Sequence, residues 1–421
     1  MNKMVSKLWR LCTLLLVALP LLTACGEADH DIVLVNPFVG ADGDNFQDLI
    51  DAFNATNPEF PVRNVAMEQD AMYASISTAF PTGTGIPDLV IVHAERIQNF
   101  VQNEMLVSWD DLLIDFPEFR AENYLTSAWE IGEINGNRYG IPLDIHTWIL
   151  YYNKDMMAHY DVLHVLDDSI VTFDEILEIG AVMEAAGSDH ATIGLTWMWP
   201  NFLSVYRQMG GNITEDGIHP TLYNETAIAA FELLHGLYTS GFSNENGEDA
   251  SQLFQTGQLM FIPEGIWYLN TANTIDSFEW GVTHKPQYTV DHLVNWSSSH
   301  QFVMFETEER TDEKATAIIA FIDWVRENSI DWARAGQNPA ALAILESSEF
   351  QTMPQAFLLQ SDEARDSLVI FEYLYNGFVS DEINRIGFDI VFGHLDVHEG
   401  LQSAQQAVED MIAQDRASES S

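Results

Sequence analysis

The sequence predicts an α/β fold arranged as two lobes. Short apolar runs suited to buried strands alternate with segments of helical periodicity, and loops rich in Gly and Pro separate them. At 421 residues the chain is longer than one compact unit needs. No linker divides it into self-contained halves and no internal repeat is evident, which fits a chain that passes back and forth between its lobes.

The elements come in order along the chain. "IVLV", residues 32–35, is a strand buried on both faces, and "NPFVGADGD" ends it with Pro37, Gly40 and Gly43. In "FQDLIDAFN", Phe46, Leu49, Ile50 and Phe53 fall at i, i+3, i+4 and i+7, one stripe of a helix. Asp44, with Gln47 three residues on, reads as its N-cap. "VRNVAM" reads as a second strand and "DAMYASISTAF" as a helix, and "DLVIV" (88–92) as a third strand ending at His93. Helical stretches are expected around Arg96–Asn103 and Asp110–Ile114, then a turn, a loop and an extended segment across "GNRYGIPLDIHTWILYYNKDM". Thr172 to Ala186 is a helix opened by a Thr172–Glu175 capping box. "QLMFIPEGIWYLN" is a strand, a break at Pro263 and a new helix. "HQFVMF" is a strand and "KATAIIAFIDWVREN" an amphipathic helix; the rest is mostly helical to about Asp415, before a polar tail over 416–421.

The N-terminus reads as an export signal. Lys3, Lys7 and Arg10 precede an uncharged run from Leu11 to Leu22, too short for a membrane span. Leu22-Thr23-Ala24-Cys25 resembles the bacterial lipobox, which implies cleavage before Cys25 and lipid on that residue. Residues 1–24 are then the signal and 25–31 a tether. The chain's other cysteine, Cys12, leaves with the signal, so the exported chain has no disulfide and depends on its core.

Formal net charge is −47, and removal of the three basic signal residues takes it to −50. After the signal the lysines are Lys154, Lys285 and Lys314. Such a surface repels nucleic acid and anionic headgroups, and describes a salty or alkaline habitat more than a chemistry. With 47% hydrophobic residues and 11 tryptophans, this is a folded body and not an acidic tail.

Catalytic motifs are missing: there is no Gly-x-Ser-x-Gly, His-Glu-x-x-His, Cys-x-x-Cys or phosphate loop. "ADGDNFQ" places Asp42 and Asp44 at calcium-loop spacing, but Phe46 and Phe53 stand at later ligand positions. Apart from His394 and His398, four residues apart with no cysteine near them, the 13 histidines are scattered singly, so no metal and no cofactor is expected. Among 64 acids no pair stands out for glycoside hydrolysis. What stands out is tryptophan beside polar loop residues, in "WMWPN", "EGIWY" and "NWSSSHQF". A polyol asks for this: rings for its C–H faces, placed donors and acceptors for its hydroxyls. In open α/β sheets the ligand sits beyond the carboxyl ends of strands, where the opening loop and His93 lie.

Five fragments, in order, resemble the extracellular solute-binding proteins of family 1, the sugar-capturing components of bacterial ABC importers. They are "GADGDNFQDLIDAFNATNPEFPV", "GIPDLVIVH", "NGNRYGIPLDIHTWILYYNKDM", "LFQTGQLMFIPEGIWYL", and "SSSHQFVMF" with "ENSIDWARAGQNPA". The chain departs at "IVTFDE" and at Gly257-Gln258, and residues 187–250 show no distinctive match. The resemblance implies a type II periplasmic-binding-protein-like fold with a ligand cleft between lobes joined by crossing segments. Lobe 1 would comprise 32–143 and 297–332, and lobe 2 would comprise 144–296 and 333–415. Carried over by motif, the ligand-binding set is Asp42, Asp44, His93, Asp144, His146, Trp199, Glu264, Trp267, His300 and Gln337, with Tyr73 and Trp148 behind them. The implied protein is a monomer, lipid-anchored outside the membrane, that takes a carbohydrate to an ABC permease. A polyamine, a glycerol phosphodiester or a surface-anchored glycan-cleaving enzyme are the competing readings.

Overall fold

The computed structural model describes residues 30–419, apart from 292, 308 and 309. The export signal, Cys25 and the first residues of the tether lie outside the described residues. Two sheets organise the chain. The first runs in the order β2 (Val62–Ala66), β1 (Ile32–Asn36), β3 (Leu89–His93), β12 (His300–Val303), β6 (Ile141–Pro142). β2, β1 and β3 are parallel, with Val35 opposite Val65 and Leu34 opposite Leu89; β12 closes antiparallel on β3, with His300 opposite His93. Leu89 and Ile91 point into one core, and Val90 and Val92 into another on the opposite face, so both faces are buried. The helix Gly40–Asn54 covers one face with Phe46, Leu49, Ile50 and Phe53, the stripe read from the sequence. The helix Gln69–Ala79 covers the other with Met72 and Ile76.

The second sheet is built on β7 (Asp144–Asn153), ten residues long. Its order is β14 (Leu368–Ile370), β11 (Asn295–Ser298), β7, β9 (Leu259–Gly265), β8 (Ala191–Ile193). β10 (Trp280–His284) and β13 (Asn338–Pro339) also pair with β7. Helices Phe173–Ala185, Met198–Gln208, Glu225–Thr239 and Asn376–Val391 form a further core with its outer face. A small hairpin, β4 (Glu133–Ile134) and β5 (Asn137–Arg138), stands apart from both sheets.

The chain changes sheets three times: twice through single residues, and a third time over the longer stretch from β12 to β13, which pairs with β7. Leu143 separates β6 from β7, and Ser299 separates β11 from β12. Residues 297 and 298 therefore pair within the second sheet, with Ser297 opposite Thr147 and Ser298 opposite His146. The Ser299 hydroxyl donates to the Asp144 carbonyl at 2.6 Å, tying the two one-residue crossings together.

Four local expectations are corrected. The first helix begins at Gly40, with Val39 as N-cap and no side-chain cap, so Asp44 lies inside the helix. Residues 110–114 form turns and not a helix. Strand β9 continues through Pro263, because β8 ends opposite Phe261 and no neighbour on that side needs the missing N–H. The last helix, Val397–Glu419, runs through the start of the polar tail. The Thr172–Glu175 capping box is formed as expected: Thr172 Oγ1 accepts from the Glu175 N–H at 3.2 Å, and Glu175 Oε2 accepts from the Thr172 N–H at 2.8 Å.

Candidate ligand-binding site

A cleft of about 330 Å³ opens between the two sheets. On the first-sheet side its wall is formed just beyond the carboxyl ends of the parallel strands: Phe38, Val39 and Asp42 after β1, Glu68 and Gln69 after β2, and His93, Glu95 and Arg96 at and after β3. On the second-sheet side stand five indoles, Trp148, Trp197, Trp199, Trp267 and Trp296, with Ser380, Asp381 and Asn384 at the rim. His146, His300 and Gln337 line it at the crossing segments.

Strand periodicity explains the floor. Asp144, His146 and Trp148 alternate along β7 and so share a side. Asp144 is fully buried and collects four hydrogen bonds: from the His300 backbone N–H at 3.0 Å, from Trp332 Nε1 at 2.8 Å, and with the Nδ1 atoms of His300 (2.8 Å) and His146 (3.2 Å). Burial alone would raise its carboxyl; the imidazoles of His300 and His146 outweigh burial and hold it well below the usual carboxylate range. Burial pushes the His300 and His93 imidazoles down, and for His93 the neighbouring His300 and His146 push the same way. His93 is fixed by Tyr73, whose hydroxyl oxygen accepts from the His93 backbone N–H at 3.0 Å and lies 2.9 Å from its Nδ1.

Asp42 sits in the first turn of its helix, where Gln337 Nε2 and Asn270 Nδ2 donate to it at 2.9 and 3.1 Å. Burial pushes its carboxyl up to about 7 against those bonds. The Trp148 Nε1 and Gln337 Oε1 atoms are buried with no hydrogen-bond partner among the described residues. The indoles form an edge-to-face chain, Trp148 against Trp267 at 5.6 Å and against Trp197 at 6.2 Å between ring centroids.

Of the ten residues expected from sequence, seven line the cleft: Asp42, His93, His146, Trp199, Trp267, His300 and Gln337. Asp144 lies behind the floor, orienting two histidines. Glu264 is also behind it, buried on β9 with the Gly265 N–H at 3.3 Å and a hydrogen bond to the Trp197 side chain; burial pushes its carboxyl up to about 8. Asp44 is exposed and does not line the cleft, since the early helix start turns it outward. Tyr73 acts through His93, and Trp148 lines the cleft directly.

Trp197 and Trp296 are lining residues that motif matching does not pick out, although both sit in the tryptophan-rich fragments. Trp197 is 56% exposed and takes φ +23°, a backbone region that residues with side chains rarely occupy. Arg96, Asp381 and Asn384 carry no sequence signal, because a helix near the C-terminus brings the last two to the rim. The three histidines, singles in the sequence, converge: one ring nitrogen of each lies within 4.8 Å of the others, close enough for the group to hold a metal ion.

Two α/β lobes, joined by crossing strands over an aromatic cleft, define a two-lobed binding protein. The chain belongs to the bacterial extracellular solute-binding proteins, a family that matches residues 48–357. It is 27% identical over 244 residues to the arabinooligosaccharide-binding protein of Halalkalibacterium halodurans, covering 55% of this chain and 53% of that one, about half the relative's length. In fold it resembles the GacH receptor of Streptomyces glaucescens, solved unliganded and with acarbose (TM-score 0.78, 16% identity, 91% of this chain and 98% of that one). It also resembles UgpB of Mycobacterium tuberculosis in complex with glycerophosphocholine (TM-score 0.74, 17% identity, 92% and 99%). No helix among the described residues is long and apolar enough to cross a membrane.

Proposed function

We propose that this chain is the capture subunit of an ABC importer, held outside the membrane by lipid on Cys25, and that its cargo is a neutral sugar or oligosaccharide. The observation that carries the reading is the cleft itself: five indoles face a wall bearing Asp42, Gln337 and other polar groups. Indoles pack on the C–H faces of a sugar ring, and hydroxyls both donate and accept. Asp42, Asn384 and Gln337 would bond hydroxyls; Trp199 and Trp267 would stack. A solute touching both walls favours the closed arrangement of the lobes, which a permease can distinguish from the open one. Against a phosphodiester, Arg96 is the one arginine among the cleft-lining residues.

The test is tryptophan fluorescence and thermal melting of the purified protein against mono- and oligosaccharides, a polyamine and a glycerol phosphodiester. Saturable stabilisation by one sugar class, with the sugar recovered intact, is the expected result. Response to the polyamine or phosphodiester alone would replace the carbohydrate reading, and sugar recovered cleaved would make the chain an enzyme.

A further inference from the structure

We propose that His93, His146 and His300 form a three-imidazole site for a divalent transition metal of the zinc and cobalt class in the floor of the cleft. The residues come from three strands, at the end of β3, near the start of β7 and at the start of β12. Their ring centroids lie 4.9 Å (His93 to His300), 5.8 Å (His93 to His146) and 4.2 Å (His146 to His300) apart.

Each ring has one nitrogen already engaged behind it. Nδ1 of His146 and of His300 meets the Asp144 carboxylate at 3.2 and 2.8 Å, and Nδ1 of His93 meets the Tyr73 hydroxyl at 2.9 Å. With Nδ1 donating backward, Nε2 is the nitrogen each ring has left for a metal, and no hydrogen bond engages it among the described residues. This is how outer carboxylates and hydroxyls orient metal-bound histidines. Asp144 is itself held by Trp332 Nε1 and the His300 backbone N–H, so the support is rigid.

The surroundings suit a cation. Asp42, Glu68, Glu95 and Asp381 line the same cleft, against the single arginine Arg96. Imidazole donors select zinc, cobalt or nickel over magnesium and calcium, which prefer oxygen. Bonds of about 2.0–2.1 Å in tetrahedral geometry place nitrogens roughly 3.3 Å apart, so the rings close in by side-chain rotation. Three protein ligands leave a fourth position toward the cleft, for water or an oxygen of the captured solute. The proposal goes beyond sugar capture and does not rest on it, because metal uptake is measured with no sugar present.

The experiment titrates the chelator-stripped full chain with zinc chloride by calorimetry and with cobalt chloride by visible absorption, in a large excess of magnesium and calcium. The expected result is one tightly bound ion per chain, a tetrahedral cobalt spectrum, and an X-ray absorption shell of three nitrogens at about 2.0–2.1 Å from zinc. His146→Ala and His300→Ala abolish that uptake, and Asp144→Asn weakens it about 10–100-fold. Failure of the parent chain to take up one zinc under these conditions overturns the proposal. So does uptake that is unchanged in both histidine variants, which would place the ion on surface acids. Should a variant fail to fold, as judged by circular dichroism, the parent titration and its absorption shell still decide.

Discussion

Glu264 lies buried behind the cleft without lining it. Its carboxyl is buried and raised from its ordinary value near 4.5 to about 8, burial being the largest cause. A carboxyl whose folded value is raised binds more protons folded than unfolded, so stability falls as pH climbs from about 4.5 to 8. Glu264→Gln removes that slope: relative to the parent it gains stability between pH 5 and pH 8, on the order of 2–4 kcal/mol. Urea midpoints of both proteins across that range check this, and parallel curves would refute it. At this scale the sequence is legible where chemistry and context coincide. Trp199, Trp267 and Asp42 stand beside polar or glycine-rich loop residues, and they line the cleft. The histidine cluster is not legible: its members share no segment, and only the pairing of β12 with β3 sets His300 opposite His93.

At the scale of elements, amphipathic periodicity and buried apolar runs locate the strands and helices that make the lobes, because each reports its own surroundings. Local punctuation fails where neighbours override it. Pro263 breaks nothing because β8 has already ended, and Asp44 caps nothing because the helix begins four residues before it. Gly336 shows a constraint of the opposite kind. It lies just past the helix Ile330–Arg334 at φ +97°, and a Cβ there would come within 2.6 Å of the Ile266 carbonyl oxygen. The next residue is Gln337, which donates to Asp42. Gly336→Ala is therefore expected to cost about 1–3 kcal/mol in urea unfolding. It also weakens binding of whichever solute stabilises the parent, since Gln337 moves with the strained turn. Unchanged affinity in the variant would separate the turn from the site.

Charge acts at the scale of the whole molecule. A formal charge of −47 over 421 residues repels itself, and two of the sparse lysines, Lys154 and Lys314, relieve it locally. Lys154 pairs with Glu279 at 3.0 Å and Lys314 with Asp88 at 2.7 Å, while Lys285 is buried and donates to the Pro200 carbonyl at 2.9 Å. Screening should therefore stabilise the fold: the melting temperature rises with sodium chloride from about 0.05 M to 1 M, as the Debye length shrinks from over 10 Å to about 3 Å. A melting temperature that falls with salt would show that the ion pairs outweigh the repulsion.

The two one-residue crossings have a mechanical consequence. Leu143 and Ser299 are each one residue long, they lie side by side, and the Ser299 hydroxyl is tied to the Asp144 carbonyl. Two short pins mounted in parallel allow a door to swing and resist its twisting or sliding. The third and longer link, from β12 to β13, carries Gln337, so the carboxylate, the histidines and the glutamine of the cleft are all mounted on the hinge plate itself.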